Sequence, residues 1–181
     1  FLVTKKASAK KTTVKKVSSA LKNGTFTVSG KGKMPESAMP KVAQKKKIKK
    51  IVIKNGVTEL PEDAFRDCSK ATVITIAPTV NRIGAMAFYN TGVEKITIPK
   101  KAGNLGYGML QNCKNLKKLT IPGNFWAREP KKAANKKNLI GSLILGNDNS
   151  NIVKKVKFST NFDSRCREGV GDCEEFEVLE T

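Results

Sequence analysis

The chain contains no histidine, and this absence limits the chemistry that it can perform. Histidine is the commonest general base near neutral pH, so Ser–His and Cys–His catalytic pairs are excluded. The four cysteines include no Cys-x-x-Cys pair, and no histidine can complete a set of zinc ligands. Catalysis by lysine or carboxylate stays open in principle, but the acidic group at Glu62, Asp63 and Asp67 on a surface turn fits a solvated helix start, where acids also favour the local dipole. We therefore expect no enzyme, no cofactor and no metal.

Long apolar runs are also absent, since no stretch approaches the roughly 18 consecutive apolar residues of a membrane-spanning helix. Phe1-Leu2-Val3 is too short for the apolar core of a signal peptide, although it could be what processing leaves behind. We expect no membrane insertion.

Acidic residues are scarce, with 15 Asp and Glu against 35 Lys and Arg, and the net charge is +20. The excess is uneven, because residues 1–50 carry 15 Lys and one Glu, whereas residues 161–181 carry two basic and seven acidic side chains. A cationic protein attracts nucleic acid, anionic lipid surfaces or acidic polysaccharide, because binding releases counterions. The positive charge alone does not indicate which of these three classes of ligand the protein binds. No motif that reads nucleic-acid sequence accompanies the charge, so sequence-specific binding is not expected.

The most informative feature present is a unit of 22 to 23 residues that recurs at least three times. Its first copy reads Ile48-x-x-Ile51-Val52-Ile53, then Val57-x-x-Leu60, then Ala64-Phe65-x-x-Cys68. The template begins again at Ala71, Val93 and Leu116. Recurrence of one apolar template at a fixed period is the signature of a solenoid, in which each repeat buries its apolar face only by stacking on its neighbours.

Each copy predicts one short strand whose first and third side chains point inward, as in Ile51–Ile53 and Ile96–Ile98. The following segments, such as Pro61–Phe65, suit a short helical turn, because small and polar residues precede the aromatic one. Before the repeats, residues 24–30 alternate apolar and polar side chains between glycines, which indicates a half-buried strand that caps the first turn. We predict an α/β solenoid with a parallel sheet on one face, short helical turns on the other and an N-terminal β cap.

Four segments follow from this pattern. We assign residues 1–17 to a Lys-, Ser- and Thr-rich linker, 18–47 to the N-terminal cap, 48–123 to the repeats and 124–181 to an irregular C-terminal region.

The C-terminal region loses the period. Trp126–Asn138 contains a proline and four lysines and indicates a loop, while Leu143–Leu145 and Val156–Phe158 are strand candidates only 13 residues apart. Phe176–Leu179 is a last strand candidate, or the start of a further element.

The repeats resemble the BspA-like leucine-rich repeats of bacterial surface proteins, which also occur in some protists. The shared elements are Ile96-Thr97-Ile98-Pro99, Val80-Asn81-Arg82-Ile83-Gly84, Ala87-Phe88 and Cys113-Lys114-Asn115-Leu116. Departures are Met109-Leu110 in place of the Ala-Phe pair and Thr91 at the cysteine position. The resemblance implies a right-handed solenoid, secretion or surface display, and a role in adhesion or interaction without catalysis.

Cysteines and phenylalanines at equivalent repeat positions are predicted to be core. Cys68 and Cys113 lie two turns apart, about 10 Å, which is too far for a disulfide, so we expect buried free thiols. Phe65 and Phe88 are expected to stack in adjacent turns. Cys166 and Cys173 flank two glycines and could close a small disulfide loop or remain free.

The candidate binding surface is the outer face of the predicted sheet. There Lys50, Val73, Lys95 and Lys118 fall in one row, and Thr97 and Thr120 fall in the next. Neighbouring lysines about 4.8 Å apart repel each other, which a polyanionic ligand would relieve, but the same row also suits solubilising surface charge. Trp126 beside two lysine pairs could anchor a partner or pack on the last turn.

Two functions remain open on this evidence. The first is a non-enzymatic, secreted or cell-surface module, favoured as a monomer, that binds a protein or glycan of a host or neighbouring cell. The second is a cationic protein that binds a cell-wall polymer or a sulfated glycan. A purely structural spacer for a larger bacterial surface protein is a further alternative.

Overall fold

The chain winds into a solenoid whose successive strands alternate between two sheets. A computed structural model describes residues 15–122, 126–128, 155–158 and 175–178. The strands of these residues are β1 Ser18–Lys22, β2 Thr25–Ser29, β3 Gly32–Lys33, β4 Lys50–Ile53, β5 Val57–Leu60, β6 Val73–Ile76, β7 Arg82–Ile83, β8 Lys95–Thr97, β9 Asn104–Gly106, β10 Lys118–Ile121, β11 Trp126–Arg128, β12 Lys155–Phe158 and β13 Glu175–Val178. A 3-10 helix, Glu36–Ala38, and one short α-helix, α1 Val42–Lys45, precede the repeats.

The first sheet has the strand order β1-β2-β4-β6-β8-β10-β12-β13, and from β2 onward each strand pairs in parallel with the next. Ile51 pairs with Ile74, Val73 with Lys95, and Lys118 with Lys95. Each pair therefore joins equivalent positions of adjacent copies. The strands predicted at Ile51, Ile74, Ile96 and Leu119 are confirmed, and these four side chains are buried.

The segment before the repeats extends this sheet. β2 shows the predicted alternation, with Phe26 and Val28 buried, and it pairs in parallel with β4. β1 pairs with β2 in an antiparallel hairpin whose turn, Asn23-Gly24, has positive φ at both residues. Such a two-residue turn matches the twist of the flanking strands. Residues 1–14 of the predicted linker lie outside the described residues, and Val17 is buried against the core.

A second sheet, which the sequence did not indicate, runs in the order β11-β9-β7-β5-β3. Its strands are two to four residues long. Such short strands cannot display an alternating pattern, so only the repeat period could have revealed them. Trp126 belongs to this sheet, where it pairs with Asn104. The prediction that Trp126 opens a loop is therefore wrong, because parallel pairing with β9 holds residues 126–128 as a strand.

The segments predicted as short helical turns are hydrogen-bonded turns instead, and no helix occurs in residues 48–122. The N–H groups of Asp63, Phe65 and Asp67 donate to the carbonyls of residues 85, 87 and 89 in the next repeat. These donors serve the neighbouring turn, so they are not used within a helix. Asp63 and Asp67 also have positive φ, which a right-handed helix excludes. The interpretation of these acids as a helix start is wrong for the same reason.

Two columns of left-handed residues run through the turns. Asp63, Met86 and Gly108 occupy one column, and Asp67, Asn90 and Asn112 occupy the other, all with positive φ. Asparagine and aspartate tolerate this conformation better than other residues except glycine. In the second column the side chains are also linked, since the Asn90 Nδ2 donates to Asp67 Oδ1 at 2.9 Å and Asn112 Nδ2 donates to Asn90 Oδ1 at 3.0 Å.

One continuous core fills the solenoid from β2 to β10. The predicted ring stack is confirmed, because Phe65 and Phe88 lie parallel with centroids 5.6 Å apart, and Phe26 meets Phe65 edge-on at 6.0 Å. Other fully buried large side chains include those of Ile48, Ile51, Ile53, Leu60, Ile83, Ile98, Leu105 and Met109. Stacking of equivalent apolar positions thus builds the core that the repeat predicts.

The sheet continues beyond the regular repeats. β12 pairs directly with β10, placing Val156 beside Leu119, so the strand predicted at Val156–Phe158 is confirmed. Its 13-residue distance from Leu143–Leu145 is irrelevant to the pairing, and Leu143–Leu145 itself lies outside the described residues. β13, which pairs with β12, confirms a strand at Phe176.

Replacing Phe88 with alanine removes the central ring of the stack and should lower the free energy of unfolding by about 3–5 kcal/mol. Urea unfolding, monitored by circular dichroism, measures this change in the free energy of unfolding. The matched control is Val73→Ala on the exposed face, which should change stability by less than about 0.5 kcal/mol. Equal effects of the two substitutions would contradict the stacked core.

The left-handed position at Asn90 can be tested separately. Asn90→Gly loses the two ladder hydrogen bonds but accepts positive φ, whereas Asn90→Ala loses the same bonds and strains the backbone. We expect the alanine variant to be less stable than the glycine variant by about 1 kcal/mol in the same urea assay. A more stable alanine variant would show that the backbone at residue 90 is not left-handed.

Candidate functional site

The outer face of the first sheet carries two rows of polar side chains. Backbone register places Lys50, Val73, Lys95 and Lys118 in one row, as predicted. Lys50, Val73 and Lys95 are exposed, and Lys118 is half-buried. In the second row Thr97 pairs with Thr120, and Thr97 is the more exposed of the two. The structure thus brings together five of the six predicted site residues on one face: Lys50, Lys95, Thr97, Lys118 and Thr120.

The lysines of this face have no counter-ion on the protein within the described residues. The four ion pairs found there involve Lys33, Glu59, Arg82 and the turn group around Arg66, and none reaches Lys50, Lys95 or Lys118. Adjacent strands lie about 4.8 Å apart, so the paired Lys95 and Lys118 concentrate positive charge. The face is suited to a ligand that carries anionic or hydrogen-bond-accepting groups.

The register extends both rows onto the last two strands. Lys155 pairs with Lys118, and Lys157 pairs with Thr120. On β13 the equivalent register positions hold Glu175 and Glu177. The residues at these register positions therefore change from lysine on β12 to glutamate on β13.

Trp126 does not join this face. It lies in the second sheet, in register with Asn104, whereas the lysine and threonine rows belong to the first sheet. A site that combines Trp126 with Lys118 is therefore not supported by the arrangement of the strands.

A groove of about 410 Å³ lies on the second sheet. One wall is a row of outward side chains in register, Lys33, Glu59, Arg82 and Asn104. The lining also includes two columns of equivalent positions, one of Glu62, Ala85 and Tyr107 and one of Pro61, Gly84 and Gly106, and we call the second column the floor. Sequence reasoning missed this groove, although its residues recur at the same intervals of 23 and 22 residues as the strands.

Glycine at the floor is required by the stacking of the repeats. A Cβ added at Gly84 would lie 2.4 Å from the carbonyl carbon of Pro61, and one added at Gly106 would lie 2.2 Å from the carbonyl carbon of Gly84. No real Cβ makes such contacts with backbone. The close stacking of the turns therefore requires glycine at both positions.

The wall of the groove contains a charge triad. The Nζ of Lys33 lies 3.0 Å from one oxygen of Glu59, and the Nη1 of Arg82 lies 3.7 Å from the other. Glu59 is only 23% exposed, while both cations reach into solvent. The two ion pairs hold the three side chains in a row and leave N–H groups of Lys33 and Arg82 available to a ligand.

The buried cysteines carry no reactive site. Cys68 and Cys113 are free and buried, which confirms the prediction. Burial raises the pKa of Cys68 to about 12 and raises that of Cys113, so both are neutral thiols near neutral pH. Thr91 lies between them in the column and contacts the Cys113 sulfur at 3.2 Å, while that thiol donates to the carbonyl of Phe88. Cys166 and Cys173 lie outside the described residues.

The described segments hold no cluster of three or more His, Cys, Asp or Glu residues that could bind a metal ion. They also contain no helix with the length and hydropathy needed to cross a membrane.

Stacked copies of one apolar template, with polar columns on the outside, define a repeat scaffold of the solenoid class. The profile of the BspA type leucine rich repeat region matches residues 41–163 with six copies, more than half of the chain. The chain belongs to this family of leucine-rich repeat proteins. The match reaches 40 residues past the limit of residue 123 that we predicted for the repeats. The family is generally non-enzymatic, and its proteins are typically found at the bacterial surface.

Among solved structures, the chain is similar to a leucine-rich repeat protein from Eubacterium ventriosum, with 22% identity and a TM-score of 0.40. The similarity covers 62% of this chain and 43% of the other, so this chain spans less than half of that protein. No curated protein matches the chain.

The thiols provide a direct test of the burial of the cysteine column. In a variant with Cys166→Ser and Cys173→Ser, the two remaining thiols should not react with a thiol-specific reagent at pH 8 in the folded protein, because only about one in 10,000 Cys68 side chains is ionised there. Both should react once guanidinium unfolds the chain. Rapid labelling without denaturant would contradict the packing.

Proposed function

We propose that this protein is a non-enzymatic, secreted or cell-surface interaction module, and that the outer face of its first sheet contacts the partner. The observation that carries the proposal is the in-register row of Lys50, Val73, Lys95 and Lys118 beside the threonine row, since no ion pair among the described residues reaches its three lysines. The sheet holds the backbone of these residues at a fixed spacing, so no backbone has to become ordered when a ligand binds.

The partner that this face suits is a protein or glycan of a host or neighbouring cell. Threonine hydroxyls both donate and accept hydrogen bonds, and lysines donate to carboxylate, sulfate or carbonyl groups. Membership of a family whose proteins are typically at the bacterial surface supports display outside the cell and a role in adhesion.

A second candidate is the binding of an anionic polymer such as a cell-wall polymer or sulfated glycan. The observation that favours it is the composition of residues 15–122, which hold 21 Lys and Arg against six acids. Lys41, Lys45, Lys46, Lys47 and Lys49 add to this charge around α1, beside the start of β4.

We also propose that the hairpin of β1 and β2 caps the solenoid, which extends the predicted role of residues 18–47. β1 covers the edge of β2 that would otherwise expose unpaired backbone groups. Right-handed winding remains a prediction.

A pair of matched variants separates the two ligand classes. Lys95→Glu with Lys118→Glu reverses charge on the face, and Lys100→Glu with Lys101→Glu makes the same change of net charge at exposed residues outside the first sheet. Partners are first selected on glycan and host-protein arrays. Binding is then measured by surface plasmon resonance against those partners and against heparin.

If the face is the contact surface, the first variant weakens binding of an array partner at least about 10-fold, and the second changes it less than about 2-fold. Equal losses in both variants, together with a steep dependence on salt, would instead identify general attraction of polyanions. Retained binding in both variants would rule out the face.

A further inference from the structure

The groove on the second sheet is a surface separate from the lysine face, and its chemistry is different. Its walls include two cations, Lys33 and Arg82, and two carboxylates, Glu59 and Glu62. These charges cancel, and Glu59 is already paired with both cations. A strongly charged ligand would have to break these ion pairs, or its own charge would remain without a partner in the groove. The groove therefore favours a ligand without net charge.

The groove offers hydrogen-bond donors and acceptors side by side. Arg82 and Lys33 retain N–H donors, Glu59 retains acceptor positions, and the Asn104 amide provides both. The row from Lys33 to Asn104 crosses four adjacent strands, a distance of roughly 14 Å. A matching ligand needs groups that donate and accept at close intervals, which hydroxyl groups do.

The backbone of the floor makes an added peptide strand an unsuitable occupant. The N–H of Gly84 donates to the carbonyl of Leu60 in the preceding repeat, and the N–H of Met86 donates to the carbonyl of Tyr107 in the following repeat. Pro61 has no N–H to offer. Peptide recognition by strand addition requires free backbone groups, whereas recognition by side chains does not.

An aromatic side chain completes the wall. Tyr107 lines the groove at the end where Asn104 lies, and it is half-buried. Flat aromatic surfaces bind the apolar faces of rings while their polar tips remain available for hydrogen bonds.

From these features we propose that the groove binds a short neutral oligosaccharide. Hydroxyl groups of the sugar would bond to Glu59, Arg82 and Asn104, and an apolar sugar face would rest on Tyr107. The volume of about 410 Å³ is within the range of small-molecule sites and suits a few sugar units. The lysine face takes no part, so this site can exist whether or not that face binds a partner.

The test titrates full-length protein with four neutral probes, cellotriose, maltotriose, mannotriose and chitotriose, by isothermal calorimetry and by chemical-shift changes. We expect at least one to bind with a dissociation constant of about 1 mM or tighter. Because the probe is neutral, the affinity should not change between low and high salt. If no probe binds, or if binding weakens steeply with salt, the proposal is wrong.

Variants assign the binding to the groove. Asn104→Ala and Tyr107→Ala should each weaken the probe at least about 10-fold, and Ala85→Phe should abolish binding by filling the space above Gly84. Lys100→Ala, at an exposed residue outside both sheets, is the control and should have no effect. Circular dichroism checks that each variant is folded, and Ala85→Phe remains informative if either truncation unfolds. Binding that survives Ala85→Phe in a folded protein would overturn the assignment.

Discussion

Every part of this structure depends on the stacking of equivalent residues at the strand spacing of about 4.8 Å. A residue in one turn has its counterpart directly above and below it, so each column must consist of side chains that tolerate one another. The solenoid meets this condition with ring on ring at Phe65 and Phe88, amide on carboxylate at Asn90 and Asp67, and glycine against backbone at Gly84. Because each repeat contacts only its neighbours, these columns hold the whole molecule together.

The same condition separates structural columns from surface columns. Inward columns are filled by apolar residues, and the cysteine column keeps its thiols neutral by burial. Outward columns have no such restriction. Their contents differ from copy to copy, as in Lys50, Val73 and Lys95, or in Glu59, Arg82 and Asn104. Variable outward columns on a constant core are what allow a repeat scaffold to recognise ligands, and the two sheets present two such surfaces.

The repeat period predicted much of the fold, because the apolar positions of the template are the residues that face inward. It placed the strands of the first sheet within residues 48–123, their register, the phenylalanine stack and the buried thiols. Most of the second sheet escaped it, because strands such as Arg82–Ile83 are too short to show alternation. The turns were misread as helical because a left-handed backbone at Asp63 or Met86 has no reliable sequence signal when the residue is not glycine.

The candidate sites divide in the same way. The lysine row followed from strand positions alone, since outward residues of a parallel sheet recur with the period. The groove did not, because it arises from glycines that let adjacent turns approach and from ion pairs between different repeats. The location of Trp126 also differs from the prediction, for a related reason. Its place in the second sheet depends on pairing with Asn104, and nothing within residues 126–138 records that pairing.

The register between adjacent turns is the central claim, and crosslinking measures it directly. In a protein with Cys166→Ser and Cys173→Ser, Thr97→Cys with Thr120→Cys joins paired positions whose Cα atoms lie about 5 Å apart, within disulfide range. Thr75→Cys with Thr120→Cys spans two turns, about 10 Å, which is out of range. We predict that mild oxidation links the first pair and not the second, as read by mass spectrometry of the folded protein. Efficient linkage of the second pair, or none of the first, would contradict the stacking on which the account rests.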